Sequence, residues 1–435
     1  MVADHSADGN RMTAAKWFLR TRKLTEELAA PLTAEDQTIQ SMPDGSPTKW
    51  HLGHTTWFFE EFVLKKFIDD YRCLDPHFGY IFNSYYEALG PRQPRALRGV
   101  LSRPSLTEVA AYRRHVDELV ERLIMTISQK TWDEMRSVID LGLHHEQQHQ
   151  ELLLTDILHL FSLNPMRPCY STSRRETNNG SDKPNFSRMV AVDGGTYTIG
   201  YAGSGFCFDN ERPCHRVMLN EFRLASGLVT NGEWKEFIDD DGYRRPQLWL
   251  SDGWATVQSQ GWEAPLYWER GADGVYRSMT LHGLQPVDDD APVCHVSYYE
   301  ADAFARWAGK RLPTEAEWEV GATHQSVEGN FLESGYLRPL PASRRSENGG
   351  PFQQLFGDVW EWTQSPYVAY PGYQPWVGAI GEYNGKFMCN QLVLRGGSCV
   401  SPVGHLRASY RNFFYPHQRW QFTGVRLAED RPCKR

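Results

Sequence analysis

Up to residue 165 the apolar positions recur at helical spacing in four segments. The first runs roughly over 12–31, where Trp17, Phe18, Leu24 and Leu28 form one stripe, and it stops at Pro31. The second opens with Ser46 as N-cap and Pro47 at the first helical position, then continues through His54 to about Ile68. A third carries the capping pair Ser105 and Glu108 and reaches about Ser128. The fourth opens on a similar pair, Thr131 and Glu134, and closes at Asn164-Pro165. Helices of this length and linkage predict an antiparallel four-helix bundle. The connection at 69–104 is long for a compact domain, yet its FGYIFNSYYEALGPRQPRALRG is dense in aromatics and arginines. That composition predicts an ordered loop over the mouth of the bundle.

The pattern changes at PCYSTSRRETNNGSDKPNFSR, residues 168–188, a polar and breaker-rich stretch that reads as a linker. Beyond it come short apolar or aromatic runs punctuated by glycine, such as MVAVDGGTYTIG, VLRGGSCV and FTGVRLA, with one clear helix near 299–309. The fold class expected is therefore multidomain α and α+β: a helical bundle over 1–167, a linker over 168–188, and an irregular α+β domain over 189–435. No internal repeat is evident.

Length and charge narrow the function classes. A chain of 435 residues is enough for two cores, and a net charge of −8 with no long basic run argues against nucleic acid and anionic membranes as partners. Small molecules are the expected ligands. The opening MVADHSADGNRM is polar and leads into no apolar run of signal or membrane-span length, so a soluble, cytoplasmic protein is expected. Eight cysteines without C-x-x-C spacing indicate neither a disulfide scaffold nor a zinc knuckle. Nothing in the sequence speaks to oligomeric state.

The chemistry concentrates in HHEQQHQE at 144–151, which puts His145 and His149 four apart on one helix face, able to grip one metal ion. The best source of a third imidazole is HLGHTTWFFEE, where His54 sits beside Trp50, Trp57 and Phe58 and faces the bundle core. His51, three residues earlier on the same helix, competes with it, whereas His144 is turned away from His145 by about 100°. Glu151 reads either as a carboxylate that orients an imidazole or as a solvated helix residue. The bland alternative for the whole motif is two unrelated histidines on an exposed helix. Three neutral histidines around one ion would leave half an octahedron open for chemistry.

Several blocks carry a resemblance that spans nearly the whole chain. LVTNGEWKEF, PVCHVSYYEADAFARWAGKRLPTEAEWEVGA, GDVWEWT, RGGSC, RASYRNFF and GVRLA follow one another as in the formylglycine-generating, sulfatase-modifying fold. The copper-binding cysteine pair of that enzyme is missing from SPVGHLRASYRNFF. The first half resembles a DinB-type bundle through His145, His149 and Glu151. The pairing of the two resembles the ergothioneine sulfoxide synthases. That resemblance implies Fe(II) held by His54, His145 and His149, with hercynine, a thiol and O2 as substrates, and sulfur joined to the imidazole C2 carbon as a sulfoxide.

The same resemblance carries over site residues. Gln148 and Asn412 match residues that contact hercynine, and Phe413 offers an aromatic face to its trimethylammonium group. Arg92 and Arg95 are candidates for a substrate carboxylate, or else surface charges. Relatives that use γ-glutamylcysteine have an acid and an arginine where Phe414 and Gln418 stand here, so cysteine is the expected thiol. Tyr85 and Tyr86 are the candidate proton or hydrogen-atom donors, with Tyr367, Tyr370 and Tyr373 kept open, since a tyrosine after GDVWEWT serves in the other branch. Two alternatives stand beside this reading: a selenoneine synthase using a selenium donor, and a non-catalytic metal-binding, lectin-like recognition protein.

Overall fold

The computed structural model describes residues 7–172, 188–342 and 350–430, so most of the expected linker, 173–187, lies outside the described residues. The chain divides into two compact units, one of Met1–Met166 with Val377–Tyr383, the other of Arg167–Trp376 with Asn384–Arg435. A short segment that the sequence places inside 189–435 thus packs with the first unit.

In the first unit, α1 (Ala7–Ala29), α2 (Thr48–Phe59), a short α3 (Phe78–Ile81), α4 (Leu106–Thr126) and α5 (Gln129–Leu163) follow in order. The long helices α1 and α2 each pack against both α4 and α5. Phe18, Phe58, Phe59, Val63, Val116, Val120, Ile139, Leu143 and Leu154 fill the interior. At the start of α4, Ser105 and Glu108 form the expected reciprocal cap, Glu108 accepting from the Ser105 N–H at 2.7 Å. Two other starts differ from expectation. Pro47, extended at φ −60, is itself the N-cap of α2, because the Ser46 hydroxyl accepts from Arg98 at 2.9 Å and its N–H donates to Asp156. The α5 cap is Ser128, whose hydroxyl accepts from the Thr131 N–H, so Thr131 lies inside the first turn.

Helix α2 continues through a π turn, Glu60–Leu64, before finishing at Lys65–Phe67. The extra residue per turn leaves Phe62 against Trp57 and Tyr86, at ring separations of 5.9 and 5.1 Å. One turn before His149, Glu146 is fully buried and accepts from Arg22 at 2.8 Å, from Thr25 at 2.6 Å and from Arg113. Burial would push this carboxyl up, but Arg113 and Arg22 outweigh it and hold Glu146 at about 2.

The second unit contains small sheets and short helices. Its four-stranded sheet runs in the order Asn412–Phe414, Leu392–Arg395, Trp360–Pro366, Thr423–Gly424, with Phe413 opposite Val393. Behind it Glu315 accepts from Arg411 at 2.6 Å and from Arg395 at 2.7 Å, a buried cluster that fixes the backbone just before Asn412. No helix among the described residues is long and apolar enough to cross a membrane.

Candidate metal centre

Residues His54 on α2 and His145 and His149 on α5 each turn one ring nitrogen toward a common point, and these atoms all lie within 4.8 Å of one another. All three rings are buried. His54 donates from Nδ1 to the Phe82 carbonyl at 2.6 Å, which leaves Nε2 as the lone-pair nitrogen, 3.1 Å from Nε2 of His145. Trp50 and Trp57 stack on the two sides of His54, with centroids at 4.5 and 5.5 Å. The loop before α4 therefore reaches the site through a backbone carbonyl, as Gly53 shows: a Cβ there would lie 2.1 Å from the Phe82 ring.

Burial lowers the basicity of the cluster. It brings His145 down to about 3 and pushes His54 and His149 well below the usual imidazole range, with His145 as the next contributor to both. Neutral, lone-pair imidazoles in a dry site are the form that a divalent transition metal takes as ligands. The donor set thus fits a nitrogen-bound Fe(II), Co(II) or Zn(II) far better than a hard ion such as Mg2+ or Ca2+.

Of the expected residues, Gln148, Tyr85 and Tyr86 connect to the triad through Tyr383 and Trp57, whereas Arg92 and Arg95 are bonded elsewhere. Gln148 is half-buried on α5, and its amide oxygen accepts from the hydroxyl of Tyr383. Tyr86 is wholly buried, 5.6 Å from Trp57, and stacks on Tyr85 at 4.7 Å. Burial, then Tyr85 and Tyr383, push the Tyr86 phenol well above its ordinary range. His144 packs edge-on against Trp17 at 5.3 Å. Arg92 pairs with Glu87 at 2.8 Å, and the exposed Arg95 donates to the Asp44 carbonyl. Arg98, not singled out from the sequence, is the deeply buried member of this arginine series and lies 3.4 Å over Trp50.

Four expected residues lie in the second unit. Asn412 accepts from the N–H of Phe413 at 2.9 Å, and Phe413 stacks on Tyr367 at 3.9 Å with rings 10° apart. Phe414 is half-buried near Trp420, and Gln418 closes a turn by accepting from the Tyr415 N–H at 3.1 Å. The hydroxyls of Tyr367, Tyr370 and Tyr373 are engaged by Asn210, Glu315 and Asp209.

Residues 175–431 match the family described as sulfatase-modifying factor enzyme 1-like domain, and residues 18–153 match the DinB superfamily. A hercynine oxygenase of Mycolicibacterium smegmatis is 36% identical over 314 residues, which are 67% of this chain and 71% of its own length. Another, from Mycolicibacterium thermoresistibile, is 33% identical over 408 residues, covering 88% of this chain and 87% of its own. The chain belongs to the hercynine oxygenase family. Ergothioneine biosynthesis protein 1 of Schizosaccharomyces pombe is also similar, 26% identical over 52% of this chain and 28% of its own length.

Three residues of this hercynine oxygenase family member escaped the sequence reading or took another role in it. The Tyr383 ring centroid lies 5.7 Å from that of His145, and the sequence did not single this tyrosine out. His51 competes with His54 in the sequence, but in the structure its Nδ1 lies 2.8 Å from Nδ1 of His149. Its Nε2 meets Asp156 at 3.0 Å, so Asp156, two turns beyond His149, is a carboxylate on that path that the sequence did not single out.

Proposed function

We propose that this protein is a non-haem Fe(II)- and O2-dependent sulfoxide synthase that joins the imidazole C2 of hercynine to the sulfur of cysteine. The observation that carries this reading is the buried His54, His145 and His149 triad in a chain whose relatives are named for oxygenation of hercynine. In the net reaction C2–H and S–H are lost, one oxygen atom of O2 ends on sulfur and the other leaves in water. Fe(II) held by the three imidazoles would supply O2 activation and a meeting point for a thiolate and an imidazole.

The chain's own residues then have assignable tasks. Gln148 is assigned a hydrogen bond to the hercynine ring, and Asn412 and Phe413 are assigned as candidate hercynine contacts, Phe413 because an aromatic face suits a trimethylammonium group. Arg92 and Arg95 are assigned to a substrate carboxylate. Phe414 and Gln418 offer no charge to a γ-glutamyl arm, which favours the smaller thiol. Tyr85, Tyr86 and Tyr383 are the phenols for proton or hydrogen-atom delivery; burial keeps the Tyr86 phenol protonated. Anaerobic loading with Fe(II), followed by O2, hercynine and cysteine, with mass spectrometry of the product, tests the reading. Parallel arms with γ-glutamylcysteine and with a selenium donor identify the partner. Absence of a coupled product in every arm would favour a binding protein.

A further inference from the structure

Of the three triad rings, two have their second nitrogen fixed by a neighbour, and they are fixed by different means. His54 uses a backbone carbonyl, whereas His149 faces another histidine. The 2.8 Å contact between Nδ1 of His149 and Nδ1 of His51 holds one proton, and which ring carries it decides whether His149 can bind a metal at Nε2. If the proton belongs to His149, Nε2 keeps its lone pair. If it belongs to His51, the His149 proton is displaced to Nε2 and the ring points an N–H into the site.

We propose that Asp156 and His51 form a relay that selects the Nδ1–H tautomer of His149 and so prepares its Nε2 as a metal ligand. Asp156 is an acceptor, and it meets His51 at Nε2, so the His51 proton sits there and its Nδ1 is left to accept. His149 must then donate from Nδ1. The backbone N–H of Ser46 donates to the same Asp156 oxygen at 2.8 Å and fixes the carboxylate in place. The parts are buried, with His51 only 2% and Asp156 9% exposed, so water does not offer an alternative donor. Asp156 lies seven positions after His149, two turns of α5 further along the same face, and His51 bridges from α2 one turn before His54. One relay thus ties the two ligand-bearing helices to one tautomer. These are positioning residues: neither reaches the triad's metal-facing nitrogens. A carboxylate behind a ligand histidine is a general device for fixing ring orientation, and its removal typically costs about 10- to 100-fold in metal affinity.

The inference rests on reading the triad as a metal centre, and the test separates the two. In the full-length, chelator-stripped protein labelled with 15N-histidine, the His149 ring is expected as the Nδ1–H tautomer, assigned by its loss in His149→Ala. An Nε2–H ring would overturn the relay. Asp156→Asn turns an amide N–H2 toward His51 and is expected to reverse both tautomers and weaken Fe(II) binding, measured anaerobically against a chromophoric chelator, by about 10- to 100-fold. His51→Leu should show a similar loss, while His51→Asn, whose amide oxygen can accept from His149, should recover most of the affinity. Unchanged affinity in Asp156→Asn, or equal losses in the Leu and Asn variants, would overturn the proposal. Wild-type protein that binds no Fe(II) would remove the metal-centre reading and the relay together, whereas failure of coupling with affinity and tautomer as expected would touch the proposed reaction alone.

Discussion

Tyr383 and Gln148 are 235 positions apart, yet the phenol donates directly to the amide oxygen beside a candidate metal ligand. Local spacing cannot encode such a contact, which explains why the sequence pointed to Tyr85 and Tyr86 but not to Tyr383. Those two share one loop with the arginines, and their adjacency is local in the sequence. Tyr383 and Tyr86 make different predictions. Tyr383→Phe removes the hydroxyl that holds Gln148 and is expected to lower coupled product formation by about 100-fold or more, the range for loss of a positioned proton donor. Fe(II) affinity should stay within a few-fold of wild type, since the hydroxyl donates to Gln148, which is not a triad ligand. Tyr86→Phe keeps the stack on Tyr85 and reports on the proton alone. If both variants retain full turnover, neither phenol delivers a proton; chelator competition and product mass spectrometry read the two quantities separately.

At the scale of elements, the helices were legible and their ends only in part. The Ser105 and Glu108 pair predicted the start of α4 because the reciprocal cap is purely local. The starts of α2 and α5 shifted for different reasons. Ser46 was withdrawn from capping by the buried Arg98, a tertiary partner, and Ser128 and Thr131 both satisfy the local pattern three residues apart. The π turn left no signal in the apolar spacing. Gly53 is where an element's geometry meets the site. Gly53→Ala drives a methyl group into the Phe82 ring, whose backbone carbonyl anchors His54, and is expected to cost about 1–3 kcal/mol in chemical denaturation. It should also weaken Fe(II) binding, whereas Gly79, with open space around it, should accept alanine with little effect on either measurement. Between helices, Glu146 is the ionic centre of the bundle: Glu146→Ala leaves Arg22 and Arg113 without their shared buried carboxylate. A loss of about 3–5 kcal/mol in unfolding free energy is expected, and a loss below about 1 kcal/mol would show that water reaches the arginines.

At the scale of the whole molecule, one source of acid sensitivity in the second unit is a buried histidine. His295 is buried between Tyr267 and Phe422, with centroids at 4.8 and 4.7 Å, and its Nδ1 donates to the Gln421 carbonyl at 2.9 Å. Burial lowers it to about 4 against an ordinary 6.5, although the carbonyl opposes the shift. In the unfolded chain this ring takes up a proton as pH falls below 6.5, while in the folded unit it does so only near 4. Its neutral form therefore contributes stability that is whole above about pH 6.5 and is lost as pH falls toward 4, up to about 3 kcal/mol in all. The residue also has a left-handed backbone, φ 63, which asparagine adopts more readily than most residues. His295→Asn is expected to lower stability at pH 7, because the ring contacts are lost. Between pH 6.5 and 4, however, the variant should fall less steeply than wild type, so that the two unfolding curves converge. Calorimetry of both proteins across that interval measures the slopes directly, and parallel slopes would mean that the acid-sensitive group of this unit lies elsewhere.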